Sequence, residues 1–139
     1  MVDLVTVTPR TVLLIDDDAA IRDALTELLV DEGFVVHCTV NGREALDWLH
    51  QAADPPDAIL LDLMMPVMDG RTLLRHRKAE PLLRRIPLLV FSADRTCSDL
   101  ADDPDIDGIL SKPVVVEDLL DAIDRCTSGR PAIAAAARR

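Results

Sequence analysis

The chain has 139 residues, 49% of them hydrophobic and 29% charged, the balance of one globular domain able to bury a core. Its net charge of −10 repels a phosphate backbone, which argues against nucleic-acid binding, and no apolar run approaches the ~20 residues of a membrane span. Three scattered cysteines, Cys38, Cys97 and Cys126, and three isolated histidines, His37, His50 and His76, lack disulfide-framework or metal-ligand spacing, so a cytoplasmic protein with reduced thiols is expected.

Residues 1–9 form a short arm without the basic-then-apolar pattern of a signal peptide. The first apolar run, 12–15 in "TVLLIDDD", passes directly into Asp16, Asp17 and Asp18. Ile21, Ala24, Leu25, Leu28 and Leu29 then recur at helical spacing, and Gly33 stands where a helix would be capped. A second run, 34–36, precedes a helix expected to open at Asn41, with Glu44 as its capping-box partner, and to bury Ala45, Trp48, Leu49 and Ala52. The third run, 58–61, ends in Asp62, followed by "LMMPVMDG", a turn-rich stretch containing Pro66 and Gly70. The third helix begins near Asp69 and Gly70 and carries Leu73 and Leu74. The fourth run, 88–91, ends in Ser92 and Ala93, and a weak fourth helix falls somewhere in 94–102. The fifth run, 109–110, leads into Ser111, Lys112 and Pro113, and the last helix carries Val116, Leu119, Leu120 and Ile123 on one stripe. "TSGRPAIAAAARR" closes the chain as a breaker and an Ala/Arg-rich tail.

The apolar runs are continuous rather than alternating, as in strands buried on both faces of a parallel sheet. Five of them alternating with five helices imply an α/β fold, a doubly wound parallel sheet. Ligands of such sheets sit beyond the carboxyl ends of the strands. What ends each strand is therefore informative: Asp16 and Asp17, Asp62, Ser92, and Lys112.

Each of these has an ordinary structural explanation. Acids at a helix start cap its free N–H groups, Asp62 could open a turn, Ser92 could cap a helix, and Lys112 could be a solvated surface lysine. The coincidence of all of them at one end of four strands weighs against that. Three crowded carboxylates repel unless a cation joins them, and an all-oxygen donor set favours Mg²⁺ in company with a phosphate. A phosphoryl group beside that ion needs charge neutralisation and a hydrogen-bond donor, which Lys112 and Ser92 supply.

In this order "LLIDDD", "LLDLMMPVMDG", "VFSA" and "LSKP" resemble the receiver domain of two-component response regulators over residues 10–127. The resemblance implies a flavodoxin-like sheet of order 2-1-3-4-5. It implies that Asp62 is the phosphoacceptor, served by a histidine kinase or a histidine phosphotransfer protein. Mg²⁺ would be held by Asp16, Asp17, Asp62 and the backbone carbonyl of Met64. Lys112 and Ser92 would stabilise the phosphoryl group, with Ser92 and the fifth-strand position Ile109 forming the switch. Asp18 would cap the helix, Met64 and Asp94 would tune the lifetime of the phosphorylated state, and the Lys112–Pro113 peptide would be cis.

Two departures stand out. The family commonly places an aromatic residue where Ile109 stands, and Ser92 and Lys112 are 20 positions apart, a shorter spacing than the family's. Pro104 should stop the fourth helix early, which puts in doubt the usual dimerisation and output face. The expected molecule is a single-domain regulator, monomeric or weakly dimeric, that acts on a downstream protein of unknown identity, with the Asp-rich stretch from Asp99 to Asp107 as a candidate basic-partner surface. Two alternatives compete. A haloacid dehalogenase-like phosphatase would use Asp16, Asp18, Ser92 and Lys112 but lacks a later strand-end acidic pair, since only helical acids such as Glu117, Asp118, Asp121 and Asp124 follow. A receiver-like adapter would bind partners without phosphorylation.

Overall fold

Five parallel strands make one sheet in the order β2-β1-β3-β4-β5 in the computed structural model, which describes residues 9–65, 67–92, 100 and 102–127. The strands are β1 (Thr11–Ile15), β2 (Val35–Thr39), β3 (Ala58–Asp62), β4 (Leu88–Ser92) and β5 (Gly108–Ser111). The helices are α1 (Ala19–Asp31), α2 (Gly42–Gln51), α3 (Gly70–Ala79), the single turn α4 (Pro81–Arg84) and α5 (Val116–Cys126). The expected strand order is the observed one. A helix within 94–102 lies almost wholly outside the described residues, and α4 stands instead before β4, started by Pro81 at its first position.

Side-chain alternation divides the core. Leu13, Ile15, Ile59, Leu61, Leu88 and Val90 face α2, α3 and α4, whereas Val12, Leu14, Leu60, Leu89 and Phe91 face α1 and α5. β1, β3 and β4 are buried along nearly their whole length, which explains their unbroken apolar runs. β2 lies at the sheet edge and starts one residue later than the apolar run, at Val35. Its His37 and Cys38 are exposed, so no continuous pattern marked its second half.

Local chemistry sets the helix ends. Asp18 accepts hydrogen bonds from the N–H groups of Ala20 and Ile21. Gly33, at φ 96°, closes α1 in a Schellman turn, its N–H donating to Val30 and that of Phe34 to Leu29. Asn41 caps α2 through the Glu44 N–H, and the Glu44 carboxylate accepts in return from Val40, one residue before the cap. Trp48 is partly buried against the core and stacks on His37, with ring centroids 4.8 Å apart.

Three acids of the Asp-rich stretch are engaged within the fold, while Asp102 is exposed. Asp103 takes Lys78 at 3.0 Å and Asp105 takes Arg84 at 3.2 Å, while Asp107 accepts from the Leu88 N–H at 2.8 Å. Beneath them Arg77, 3% exposed, donates to the carbonyls of Asp105, Arg84 and Ile86. The described end of the β4–β5 connection, 102–107, is thereby fastened to α3 and α4. Asp99 lies outside the described residues. A second buried arginine, Arg10, ties the start of β1 to the end of α5. It reaches Asp124 at 2.9 Å and the Thr127 hydroxyl at 3.0 Å, and lies over the Phe34 ring.

Candidate functional site at the carboxyl ends of the strands

Continuing the alternation past Leu14, Leu60 and Leu110 turns Asp16, Asp62 and Lys112 toward one face at the top of the sheet. Asp16 is fully buried and held from every side. Its N–H donates to Thr39, its carbonyl accepts from Arg22 at 2.8 Å, and one carboxylate oxygen accepts from the Asp18 N–H at 2.9 Å. Its other oxygen lies 3.3 Å from the Lys112 ammonium. Asp62, 2% exposed, meets the same ammonium at 3.3 Å and accepts from the Met64 N–H at 3.2 Å. Asp17 is exposed.

Carboxylate oxygens of Asp16, Asp17 and Asp62 all lie within 4.8 Å of one another, the one acidic group of that kind among the described residues. Among the described residues two of these carboxylates, Asp16 and Asp62, share the Lys112 ammonium, and every donor of the group is a hard oxygen. The set fits a divalent ion of the Mg²⁺ kind.

Asp62 is perturbed first by its burial and only then by its acidic neighbour. Burial raises its carboxyl above the ordinary value of 3.8 and Asp16 adds to the rise, against the Met64 N–H and Lys112, which lower it. A proton held more tightly in the folded than in the unfolded chain means that this group's contribution to stability falls as pH rises from 3.8 through the folded value. Metal-free Asp62→Asn is therefore expected to be more stable than the parent at neutral pH. The gap should close below about pH 4, where the carboxyl is protonated in both states. Urea unfolding in chelator at a series of pH values, followed by the single tryptophan Trp48, checks it.

Ser92 ends β4, 4% exposed, paired in register with Ser111, and its carbonyl accepts from the Lys112 N–H at 3.1 Å. Ile109 is half-buried on β5 beside Val90 and packs on the α2–α3 side of the core. The Lys112–Pro113 peptide is cis. Asp94 lies outside the described residues. The acids that follow Lys112 sit on or beside α5, none at a strand end, so the second acidic pair of the dehalogenase-like alternative has no counterpart.

The loop after Asp62 contains two conformational demands. Gly70 starts α3 directly against it, and a Cβ there would lie 2.8 Å from the Asp62 carbonyl and 2.7 Å from the Leu63 Cα, so a side chain would displace the phosphoacceptor candidate's own backbone. Val67 has φ 67°, in the left-handed region, while 85% exposed. A β-branched residue there costs about 1–2 kcal/mol, against about 0.5–1 kcal/mol for glycine's extra chain entropy. Val67→Gly is expected to stabilise the fold by about 0.5–1 kcal/mol in urea unfolding.

Two contacts were not anticipated from the sequence. Arg22, on the second turn of α1, braces the Asp16 backbone, and Phe91 lies under Lys112, 5.2 Å from its ammonium to the ring centroid. Neither residue belongs to a spacing pattern. Both are brought to the site by the topology.

A family model described as response regulator receiver domain matches residues 12–124. Response regulator MprA of Mycolicibacterium vanbaalenii is 38% identical over 114 residues, 81% of this chain and 48% of that protein. The chain thus spans about half the length of the curated relatives it matches. A putative response regulator from Chloroflexus aurantiacus superposes with TM-score 0.79 at 26% identity, covering 87% of this chain and 99% of the other. The signal receiver domain of a signal transduction histidine kinase from Syntrophus aciditrophicus gives TM-score 0.77 at 30% identity, covering 86% and 91%.

Proposed function

Because the chain belongs to the response regulator receiver family, whose members are phosphoacceptor signalling domains, we propose that Asp62 takes a phosphoryl group from a phosphohistidine on a histidine kinase or histidine phosphotransfer protein. A carboxylate oxygen of Asp62 forms the new P–O bond as the P–N bond breaks, and the imidazole nitrogen leaves with the electron pair and takes up a proton. The product is an acyl phosphate. The observation that carries this reading is a nearly buried Asp62 held between Lys112 at 3.3 Å and the carboxylates of Asp16 and Asp17.

Asp16, Asp17 and Asp62, with the Met64 carbonyl, would hold Mg²⁺, which supplies charge neutralisation at the phosphoryl oxygens. Lys112 moves its ion pair from the Asp62 carboxylate to a phosphoryl oxygen. Ser92 donates its hydroxyl to another and draws the end of β4 with it, and Ile109 on the neighbouring strand follows. Met64 and Asp94, two positions after Asp62 and Ser92 in the chain, tune the lifetime of the acyl phosphate. The output is altered binding to a downstream protein, or onward transfer of the phosphoryl group.

The reading is tested by incubating the protein with Mg²⁺ and phosphoramidate and following intact mass. One phosphoryl group per chain, acquired only with the metal present, is expected. Absence of any adduct, or an adduct of equal yield in chelator, contradicts it.

A further inference from the structure

Lys112 has to place one ammonium between two carboxylates and then on a phosphoryl group, yet four methylenes of its own give it little guidance. The β3–β4 register sets Phe91 beside Asp62, and the alternation that buries Leu89 turns the Phe91 ring to the same face. The ring is 1% exposed, packed among Leu14, Leu60 and Leu119, and cannot move without repacking that side of the core. The Lys112 ammonium stands 5.2 Å from its centroid while meeting Asp16 and Asp62 at 3.3 Å each. A cation at that distance from a ring face is held by the ring's quadrupole, more strongly where water is excluded. The Lys112 side chain is 18% exposed.

From this geometry we propose that Phe91 is a positioning residue for phosphoryl transfer. Its ring is the fixed floor that keeps the Lys112 ammonium at the strand ends, before and after Asp62 is phosphorylated. The inference rests on the reading of Asp62 as phosphoacceptor and Lys112 as its counter-charge. An aliphatic residue of similar bulk would fill the core but leave the ammonium held by the two carboxylates alone, with no floor beneath it.

Phenylalanines carrying one, two and three ring fluorines, incorporated at position 91 alone, weaken the quadrupole with little change in size. The rate of Asp62 phosphorylation by phosphoramidate with Mg²⁺ is expected to fall stepwise, by about fivefold over the series, with a single cooperative urea transition retained throughout. A merely structural role would not follow the fluorine count. A second readout needs no chemistry. The chain has two lysines, Lys78 and Lys112, so the side-chain methylene signals are readily assigned by NMR. Those next to the Lys112 ammonium should be shifted upfield by the ring in the parent and return to ordinary positions in Phe91→Leu. A flat fluorine series on a chain that still forms the adduct, or unshifted Lys112 signals in the parent, overturns the proposal while leaving the phosphoacceptor reading intact. No adduct on the parent at all overturns both.

Discussion

Arg77→Met is expected to lower stability by about 3–4 kcal/mol, a large part of the roughly 5–15 kcal/mol available to a domain of this size. The guanidinium donates to three backbone carbonyls, of Asp105, Arg84 and Ile86, at 2.7, 3.0 and 2.7 Å. Methionine fills much of the same volume and satisfies none of them, so the cost is three stranded acceptors rather than a cavity. Three acids of the β4–β5 connection, Asp103, Asp105 and Asp107, also lose the positive charge that their mutual repulsion is set against. Arg77→Lys should recover only part of the loss, because one ammonium cannot span the three carbonyls that the planar fork reaches. Urea unfolding followed by Trp48 fluorescence separates these outcomes. A loss below 1 kcal/mol for the methionine variant would mean that the connection holds its place without the arginine.

The second large effect concerns the site. Lys112→Met is expected to slow phosphorylation of Asp62 by a factor on the order of 100 or more, the usual consequence of removing one preorganised charge from a transferring group. Mg²⁺ binding should survive and even tighten, because the methionine removes the cation that competes for Asp16 and Asp62. The two measurements therefore move in opposite directions, which no general loss of structure produces. Calorimetric titration with Mg²⁺ beside phosphoramidate labelling reads both. An equal loss of metal affinity and labelling would assign Lys112 a structural role.

Much of this arrangement is legible in the sequence because it is local. Runs such as 12–15 and 58–61 are continuous because both sheet faces are covered, and Asp18, Asn41, Asp69 and Gly33 announce helix ends by chemistry confined to a few residues. The acids, the serine and the lysine are legible because parallel strands bring all their carboxyl ends to one side, so the residues that end the strands share one site. What escaped the sequence is long-range or lies at an edge. β2 has one face in solvent, so half of it carries no apolar run. α4 is a single turn, too short for a periodicity. The aspartates after Leu100 read as a free acidic face because nothing local shows that Arg77, Lys78 and Arg84 wait for them across the fold. Phe91 reads as one more core residue. Its neighbourhood with Lys112 exists only once β4 and β5 are paired.

The most direct test of the account is to locate the phosphoryl group. After incubation with Mg²⁺ and phosphoramidate, reduction by borohydride converts an aspartyl phosphate to homoserine, which peptide mass mapping assigns to a position. The account predicts homoserine at position 62 alone, and none in Asp62→Asn. Conversion at Asp16 or Asp17, a phosphate stable to borohydride on Ser92, or equal labelling of Asp62→Asn would contradict it.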